Sequence, residues 1–368
     1  MSSPGDPRAR VRTALAHRMP LRVPFSWNFG PTPEMAGFLT AYLTDRGLDW
    51  PTLRDTVDDV RQAGPDPLYV LSPDTDIWGI GRRPQSYGAG SYDEIVRTPL
   101  SGITDPAELD DYPWPDHDLY DYAHFREQEL RLDPDSMRAR KLSISTCGNP
   151  FEIYCWMTGL EEALTNVLIH PDVVRAALGR ITGFFATSMV RALEVAGDLV
   201  DILYFADDLG GQRGLLMSKK AYCEVLKPYH ARLFRLGKAL APQAAVMFHS
   251  DGAVFDILPE LIDAGVEVLE AVQTDADGMD AERLKDAFGD RLAFHGGIPV
   301  QSLLPNASAD TVFHESRRLV EVLGAGGGYI AAPTHAIQVG TPPENVLAML
   351  RAVLGEEDYA AALETARV

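Results

Sequence analysis

The sequence has little of what a secreted scaffold, a membrane protein or a nucleic-acid-binding protein needs. Its three cysteines, Cys147, Cys155 and Cys223, are odd in number and form no CxxC pair. That excludes a disulfide scaffold and indicates a reducing compartment. The start of the chain lacks the apolar core of a signal peptide, and no run of about eighteen apolar residues predicts a membrane span. We therefore expect a cytoplasmic protein that does not contact a membrane.

Basic residues are also scarce relative to acidic ones. The 368 residues include 33 Lys and Arg against 53 Asp and Glu, which gives a formal net charge of −20 at pH 7. So acidic a chain disfavours nucleic acid or an anionic membrane surface as a partner. Solubility alone also accounts for such a surface. The expected partner is therefore a small-molecule substrate.

Short apolar runs alternate with amphipathic helical patterns from residue 141 onward. Together with a first strand at residues 22–27, the predicted strands are residues 142–145, 200–205, 244–248, 266–272, 291–296 and 329–333. Repeated β-then-α units predict a parallel sheet, and about eight strands predict closure. We therefore expect an α/β fold, a single (β/α)8 TIM-type barrel with an N-terminal extension, as one domain over residues 1–368.

Two histidines each stand where an apolar run ends. AAVMF leads into His249, YIAAP leads into His335, and Asp251 follows two residues after His249. In a parallel barrel, the carboxyl ends of the strands share one face, so these side chains are expected to converge. Two imidazoles and a carboxylate can hold a divalent metal and leave positions open for substrate. The alternative to a metal ligand is a structural role, in which Asp251 caps the helix that begins near Ala253.

Two carboxylates follow the run VDILYF. Asp207 and Asp208 open a glycine-bearing loop that also contains Gln212. At the carboxyl end of a strand they suit a role as catalytic acid or base, or in anchoring substrate, with Gln212 as a polar anchor. The alternative is a simple turn, since Asp and Gly dominate turns.

Five further residues are candidates for contact with substrate. They follow predicted strands or the turn after one: Trp27, Asn28, Cys147, Gln273 and His295. Cys147 can also be considered as a nucleophile, but a small residue that lines the pocket is the simpler interpretation.

Three stretches resemble the uroporphyrinogen decarboxylase superfamily. They are HSDGAVFDILPELIDAGVEVLEAVQ, GMDAERLKDAFGDRLAFHGGI and GGGYIAAPTHAIQVGTPPENVLAML, at residues 249–273, 278–298 and 326–350. The resemblance implies a (β/α)8 barrel. The superfamily contains decarboxylases and cobalamin-dependent methyltransferases that pass methyl groups from a corrinoid to a thiol. The decarboxylases open with an arginine-bearing motif, whereas the matching stretch here, NFGPTPEM, has no arginine.

The resemblance also implies a set of metal ligands. The methyltransferases bind zinc through His-x-Cys and a later cysteine. His249 matches the first ligand, Asp251 replaces the first cysteine, and His335 replaces the later one. Oxygen and nitrogen donors in place of the two sulfurs are harder ligands. Zinc remains the expected metal, and iron or manganese can also bind such a site.

Three hypotheses follow. The first is a metal-dependent methyltransferase or demethylase acting on a small molecule, with a corrinoid on a partner protein as the methyl donor that the resemblance suggests. The second is a metal-free decarboxylase that uses Asp207 or Asp208. The third is a non-catalytic protein that binds a small ligand or a corrinoid. Metal content separates the first from the second, and turnover separates both from the third.

Overall fold

A computed structural model describes residues 6–70, 72, 74–86, 91–135 and 137–368. The strands are β1 Val60–Ala63, β2 Gly81–Ser86, β3 Ser91–Arg97, β4 Ala139–Leu142, β5 Ile202–Ala206, β6 Gly210–Gly211, β7 Gly214–Leu215, β8 Ala245–His249, β9 Val268–Val272, β10 Ala293–Ile298 and β11 Tyr329–Pro333.

The helices are α1 Pro7–Leu15, α2 Pro33–Thr44, α3 Trp50–Val57, α4 Phe125–Leu132, α5 Ile144–Cys147, α6 Pro150–Thr158, α7 Leu160–Ile169, α8 Pro171–Ala196, α9 Lys219–Ala221, α10 Lys227–Leu240, α11 Leu258–Ala264, α12 Ala281–Phe288, α13 Leu303–Asn306, α14 Ala309–Gly324, α15 Pro343–Leu354 and α16 Glu356–Thr365. Single 3-10 turns occupy Pro106–Leu109, Gly197–Leu199 and Phe255–Ile257, and Tyr222–Leu226 is a π-helical turn.

The described residues divide into two compact units, and the single domain over residues 1–368 stays a prediction. The first unit comprises residues 6–61, 137–139 and 268–368, and the second comprises residues 62–135 and 140–267. Each unit has its own set of parallel strands.

In the second unit, β4, β5 and β8 are parallel neighbours. Ile202 of β5 lies opposite Lys141 on one side and Ala245 on the other, and the register continues to Ala206 opposite His249. Buried residues occupy all of β5, as expected for a strand that is covered on both faces. The shared register brings the carboxyl ends of β5 and β8 to the same edge.

In the first unit, β9, β10 and β11 are parallel neighbours. Phe294 of β10 pairs with Tyr329, and Ala293 pairs with Val268, with an irregularity in the β9–β10 register between Phe294 and Gly296. The predicted strands in this part of the chain are thus confirmed, with boundaries that shift by up to two residues.

The predicted first strand, residues 22–27, is reduced to a single bridge. Phe25 pairs in parallel with Ala331 of β11, where the Ser26 N–H donates to the Ala331 carbonyl and the Ala331 N–H donates to Pro24. Pro24 has no N–H to donate, which limits the ladder at this point.

Several local predictions were wrong. Residues 142–145 were expected as a strand, but the strand ends at Leu142 and Ile144 begins the short helix α5. The stretch PLYVLSPDTDIWGIG at residues 67–81 has the pattern of a hairpin, but the hairpin is formed later, by β2 and β3. Thr341-Pro-Pro-Glu344 has the spacing of a capping box, but the box does not form, because Pro342 occupies the N-cap position of α15. By contrast, Gly265 follows a helical pattern in the sequence and predicts a helix end, and α11 does end there, with Gly265 in the left-handed conformation.

The helix over residues 171–199 passes for a membrane span by length and composition alone. However, 61% of its apolar window is buried inside the protein, which is the environment of a core helix.

Gly148, which follows α5, cannot be replaced by a larger residue without strain, because of both its backbone conformation and its close neighbours. Its φ is +121°, and an added Cβ would lie 2.7 Å from the Phe185 ring. We expect Gly148→Ala to lower the free energy of unfolding by about 2–3 kcal/mol in chemical denaturation. The matched control is Gly179→Ala on α8, where an added Cβ meets nothing within 4 Å and should stabilise by about 0.5–1 kcal/mol. Equal effects at both positions would contradict this account.

Candidate metal centre and adjoining cavity

The candidate site lies in the second unit, where β5 and β8 end side by side. Asp207 and Asp208 follow β5, and Ser250 and Asp251 follow β8. The Asp207 N–H donates to the His249 carbonyl at 3.1 Å, which extends the ladder one residue past the end of β5. The polar side chains therefore lie at, or directly after, the ends of two hydrogen-bonded strands.

Hydrogen bonds join the two loops beyond the strands. The Leu209 N–H donates to Ser250 Oγ at 2.8 Å, and the Ala253 N–H donates to the Gly211 carbonyl at 2.8 Å. Gly252, in the loop after β8, packs so closely against the loop after β5 that a Cβ would lie 2.6 Å from the Gly211 carbonyl oxygen. The loops are thus positioned before any ligand arrives.

Asp208, His249 and Asp251 bring their donor atoms together. One ligand atom from each lies within 4.8 Å of the others. Asp208 Oδ1 lies 3.6 Å from His249 Nε2 and accepts the Asp251 N–H at 2.9 Å. The His249 side chain is 10% exposed and that of Asp208 is 41% exposed, so the cluster is open on the carboxylate side.

This donor set suits a divalent metal. Ligand atoms bound at about 2.1 Å in tetrahedral geometry stand about 3.4 Å apart, so the observed spacing needs only small side-chain rotations. One imidazole and two carboxylates are ligands that zinc, iron and manganese accept. The residues therefore fit the kind of ion that the sequence predicted, with Asp208 as an additional donor.

Asp207 has a different environment from its neighbour Asp208. It is fully buried, and its carboxylate accepts the Phe151 N–H at 3.1 Å and the Glu152 N–H at 2.6 Å, both in the first turn of α6. His230 Nε2 lies 2.6 Å from the same carboxylate. Burial raises the pKa of the Asp207 carboxyl, against the opposing effect of these partners. In this placement Asp207 anchors α6 and does not line the cavity described next.

A cavity of about 490 Å³ adjoins Asp208 within the second unit. Its walls are largely apolar and include Cys155, Trp156, Leu160 and Leu216. Glu152 lies in the same lining and accepts a hydrogen bond from Asn149 Nδ2 at 2.8 Å. The volume is within the range of small-molecule sites.

Burial is the main cause of an unusual pKa at Glu152. It raises the pKa of this carboxyl to about 7, with further contributions from the charges of Asp208 and Asp207. Both protonation states are then populated near neutral pH. A carboxyl in this condition can accept or donate a proton during a reaction.

Two predicted substrate-binding residues of the first unit, Asn28 and His295, lie beside the carboxylate of Glu270 in a second polar cluster. Asn28 Nδ2 donates to Glu270 Oε1 at 2.6 Å, and His295 Nδ1 lies 3.9 Å from the same oxygen. Gln273 is buried, and Trp27 donates its indole N–H to the Arg54 carbonyl at 3.0 Å.

Three other predicted residues have the following surroundings within their own units. His335 is half-buried in the first unit, with its ring stacked on Phe29 at 4.7 Å between centroids. Gln212 is exposed between β6 and β7. Cys147 is fully buried and burial raises the pKa of its thiol, which makes it a packing residue and not a nucleophile. The role of His335 as a metal ligand stays a prediction from sequence.

Sequence reasoning missed Glu152, His230 and Trp156. Asn149-Pro150 was a readable signal, because proline at the first helical position marks the start of α6. Glu152 and Trp156 then fall four residues apart on one face of that helix. His230 sits within α10 and carries no local signal of its partnership with Asp207.

Comparison with known proteins supports the resemblance read from the sequence. The family model described as "Uroporphyrinogen decarboxylase (URO-D)" matches residues 102–355, more than half of the chain. A uroporphyrinogen decarboxylase of Aromatoleum aromaticum is 24% identical over 226 residues, 57% of this chain and 57% of that protein. A methylated-thiol–coenzyme M methyltransferase of Methanosarcina mazei is 24% identical over 269 residues, 71% of this chain and 66% of that protein.

The structure gives the same result for the fold. A methyltransferase from Methanosarcina mazei superposes with a TM-score of 0.63 at 15% identity, over 94% of this chain and 98% of that one. The predicted α/β fold of the TIM-barrel type is thereby confirmed. In sequence, the chain spans 57–60% of the length of the uroporphyrinogen decarboxylases that it matches. The match of the family model, with these relatives, shows that the chain belongs to the uroporphyrinogen decarboxylase family.

Proposed function

We propose that this protein is a metal-dependent methyltransferase or demethylase that acts on a small molecule. The observation that carries the proposal is the cluster of Asp208, His249 and Asp251 at the ends of two neighbouring strands. His249 and Asp251 fall at positions where the sequence resembles the zinc-binding methyltransferases. The similarity to a methylated-thiol–coenzyme M methyltransferase adds to this support.

Asp208, His249 and Asp251 would hold the metal, which when bound supplies a Lewis acid that lowers the pKa of a nucleophile or polarises a substrate oxygen. His335 is the further ligand expected from sequence position. The bonded loops after β5 and β8 keep Asp208 and Asp251 in place, so little reorganisation accompanies ligand binding. The apolar walls of the cavity hold the substrate body and exclude water.

Glu152 would move the proton. Methyl transfer to a thiol or alcohol releases the proton of that group, and demethylation returns one to the leaving oxygen. A carboxyl whose pKa lies near 7 serves in either direction at neutral pH. Asp207 acts through Glu152 by fixing the first turn of α6, in which Glu152 stands.

The proposal extends to partner and compartment. A corrinoid carried on a partner protein is the methyl donor that the resemblance to the methyltransferases of this superfamily implies. The cysteine content and the acidic composition fit a cytoplasmic enzyme with a small-molecule substrate and no nucleic-acid partner.

The test is methyl transfer from free methylcob(III)alamin to a panel of small thiols, followed by the change in the visible spectrum of the corrinoid. We expect turnover in the zinc-loaded protein, loss of turnover after chelation, and recovery when zinc, iron(II) or manganese(II) is restored. Turnover that is unchanged by chelation would contradict the metal dependence.

A metal-free decarboxylase is the second candidate, and Glu152 is the observation that favours it. Decarboxylation leaves a carbon that must be protonated, and a carboxyl with a pKa of about 7 can donate that proton. Release of CO₂ from uroporphyrinogen by chelator-treated protein would support this candidate over the first.

A further inference from the structure

The cavity beside Asp208 has one acidic end and a largely apolar body. Its acidic groups are Glu152, in the first turn of α6, and Asp208, in the loop after β5. Among the described residues that line the cavity, none is Lys, Arg or His. In the chelator-treated protein, a carboxylate ligand would therefore meet two acids with no Lys, Arg or His in the lining to offset them.

The apolar part of the lining favours an aromatic or branched hydrocarbon body. Trp156, Leu160 and Leu216 supply large apolar surfaces, and Cys155 is buried with its thiol pKa raised by burial, so it adds an uncharged wall. Contact with such surfaces stabilises a ligand in proportion to the apolar area removed from water.

Two basic side chains adjoin this lining: His249 lies 3.6 Å from Asp208, and Arg82, which stands over Trp156, is already engaged. The Arg82 guanidinium lies 4.6 Å from the centre of the Trp156 ring, and its Nε lies 3.8 Å from Asp76 Oδ2. Arg82 thus faces the indole and has a carboxylate of its own, which leaves the acidic end of the cavity without an internal counterion from this side chain.

We propose that this cavity binds an amine with an aromatic or branched apolar body, its cationic nitrogen at Glu152 and its body against Trp156, Leu160 and Leu216. The inference rests on the proposed function only in treating the cavity as the place of the substrate. A hydrogen bond from a cationic nitrogen to a carboxylate is stronger than one between neutral groups, and desolvation by the cavity wall increases the difference. In the metal-free cavity, the carboxylates of Glu152 and Asp208 repel a polycarboxylate.

The test is isothermal titration calorimetry of the chelator-treated protein at pH 8 with three probes of similar shape. These are 2-phenylethylamine, 2-phenylethanol and 3-phenylpropionate, which place a cation, a neutral hydroxyl and an anion on the same body. We expect the amine to bind at least about ten-fold more tightly than the alcohol, and the carboxylate most weakly.

Variants locate the binding. Glu152→Gln should weaken the amine at least about ten-fold and leave the alcohol within about two-fold. Leu216→Trp, which fills the cavity, should weaken amine and alcohol alike. Glu161→Gln is the matched control, because Glu161 is an exposed carboxylate in the first turn of α7 and should change neither affinity.

Three results would overturn the inference: equal affinities for amine and alcohol, tightest binding of the carboxylate, or an amine affinity that does not respond to Glu152→Gln. Zinc titration of the same sample separates this inference from the proposed function. Zinc binding without amine selectivity would defeat the inference alone. Amine selectivity without zinc binding would leave the inference standing and defeat the metal-dependent function.

Discussion

Replacing His249 with alanine is expected to lower the affinity of the chelator-treated protein for Zn²⁺ at least about 100-fold. His249 supplies the nitrogen donor in the cluster with Asp208 and Asp251, and its side chain is held 10% exposed at the end of β8. Two carboxylates alone form a weaker and less selective site. Zinc titration with a competing chromophoric chelator measures the change.

The matched control is His314→Ala, because His314 is an exposed histidine on α14 beside Asp310. Its removal should leave zinc affinity unchanged. His335→Ala tests the further ligand expected from sequence, and elemental analysis of that variant should show reduced metal content. Equal and sub-stoichiometric metal in the wild type and in His249→Ala would remove the metal site and favour the decarboxylase.

Replacing Asp207 with alanine is expected to cost about 3–5 kcal/mol of the free energy of unfolding. The carboxylate is fully buried, pairs with His230 at 2.6 Å and accepts two N–H groups from the first turn of α6. Its loss removes the acceptor of the Phe151 N–H, the Glu152 N–H and His230 Nε2. Urea denaturation followed by circular dichroism measures the change.

Asp208→Asn is the control for this second prediction. Asp208 is the adjacent residue and its side chain is 41% exposed, so the substitution should cost less than about 1 kcal/mol while still weakening metal binding. If Asp207→Ala fails to fold, Asp207→Asn retains an acceptor and should show an intermediate loss. Equal stability of the Asp207 and Asp208 variants would contradict the structural role given to Asp207.

The strand ends were predictable from the sequence because buried parallel strands are continuous apolar runs. ILYFA and AVMFH are such runs, and polar residues follow each of them. The position of His249 at the carboxyl edge of the sheet was therefore predictable from the sequence. The strand VRQA was not predictable, because Arg61 and Gln62 interrupt its apolar pattern and it is only four residues long.

Adjacent residues were harder to separate. Asp207 and Asp208 share a residue type and a place in the loop, yet one is buried against His230 and the other faces the cavity. Which of two neighbouring side chains points inward depends on backbone geometry after the strand. The partner His230 lies on a helix far from Asp207 in the sequence, so the pair cannot be recognised before the chain is folded. Glu152 was missed for a related reason, since its raised pKa arises from burial that only the packed structure reveals.

Anomalous X-ray diffraction at the zinc edge, from crystals equilibrated with Zn²⁺, tests the central claim most directly. The account predicts an anomalous peak at about 2.0–2.2 Å from His249 Nε2 and from one carboxylate oxygen each of Asp208 and Asp251. A map without a peak at this cluster, from crystals in which zinc has bound elsewhere or not at all, would contradict it.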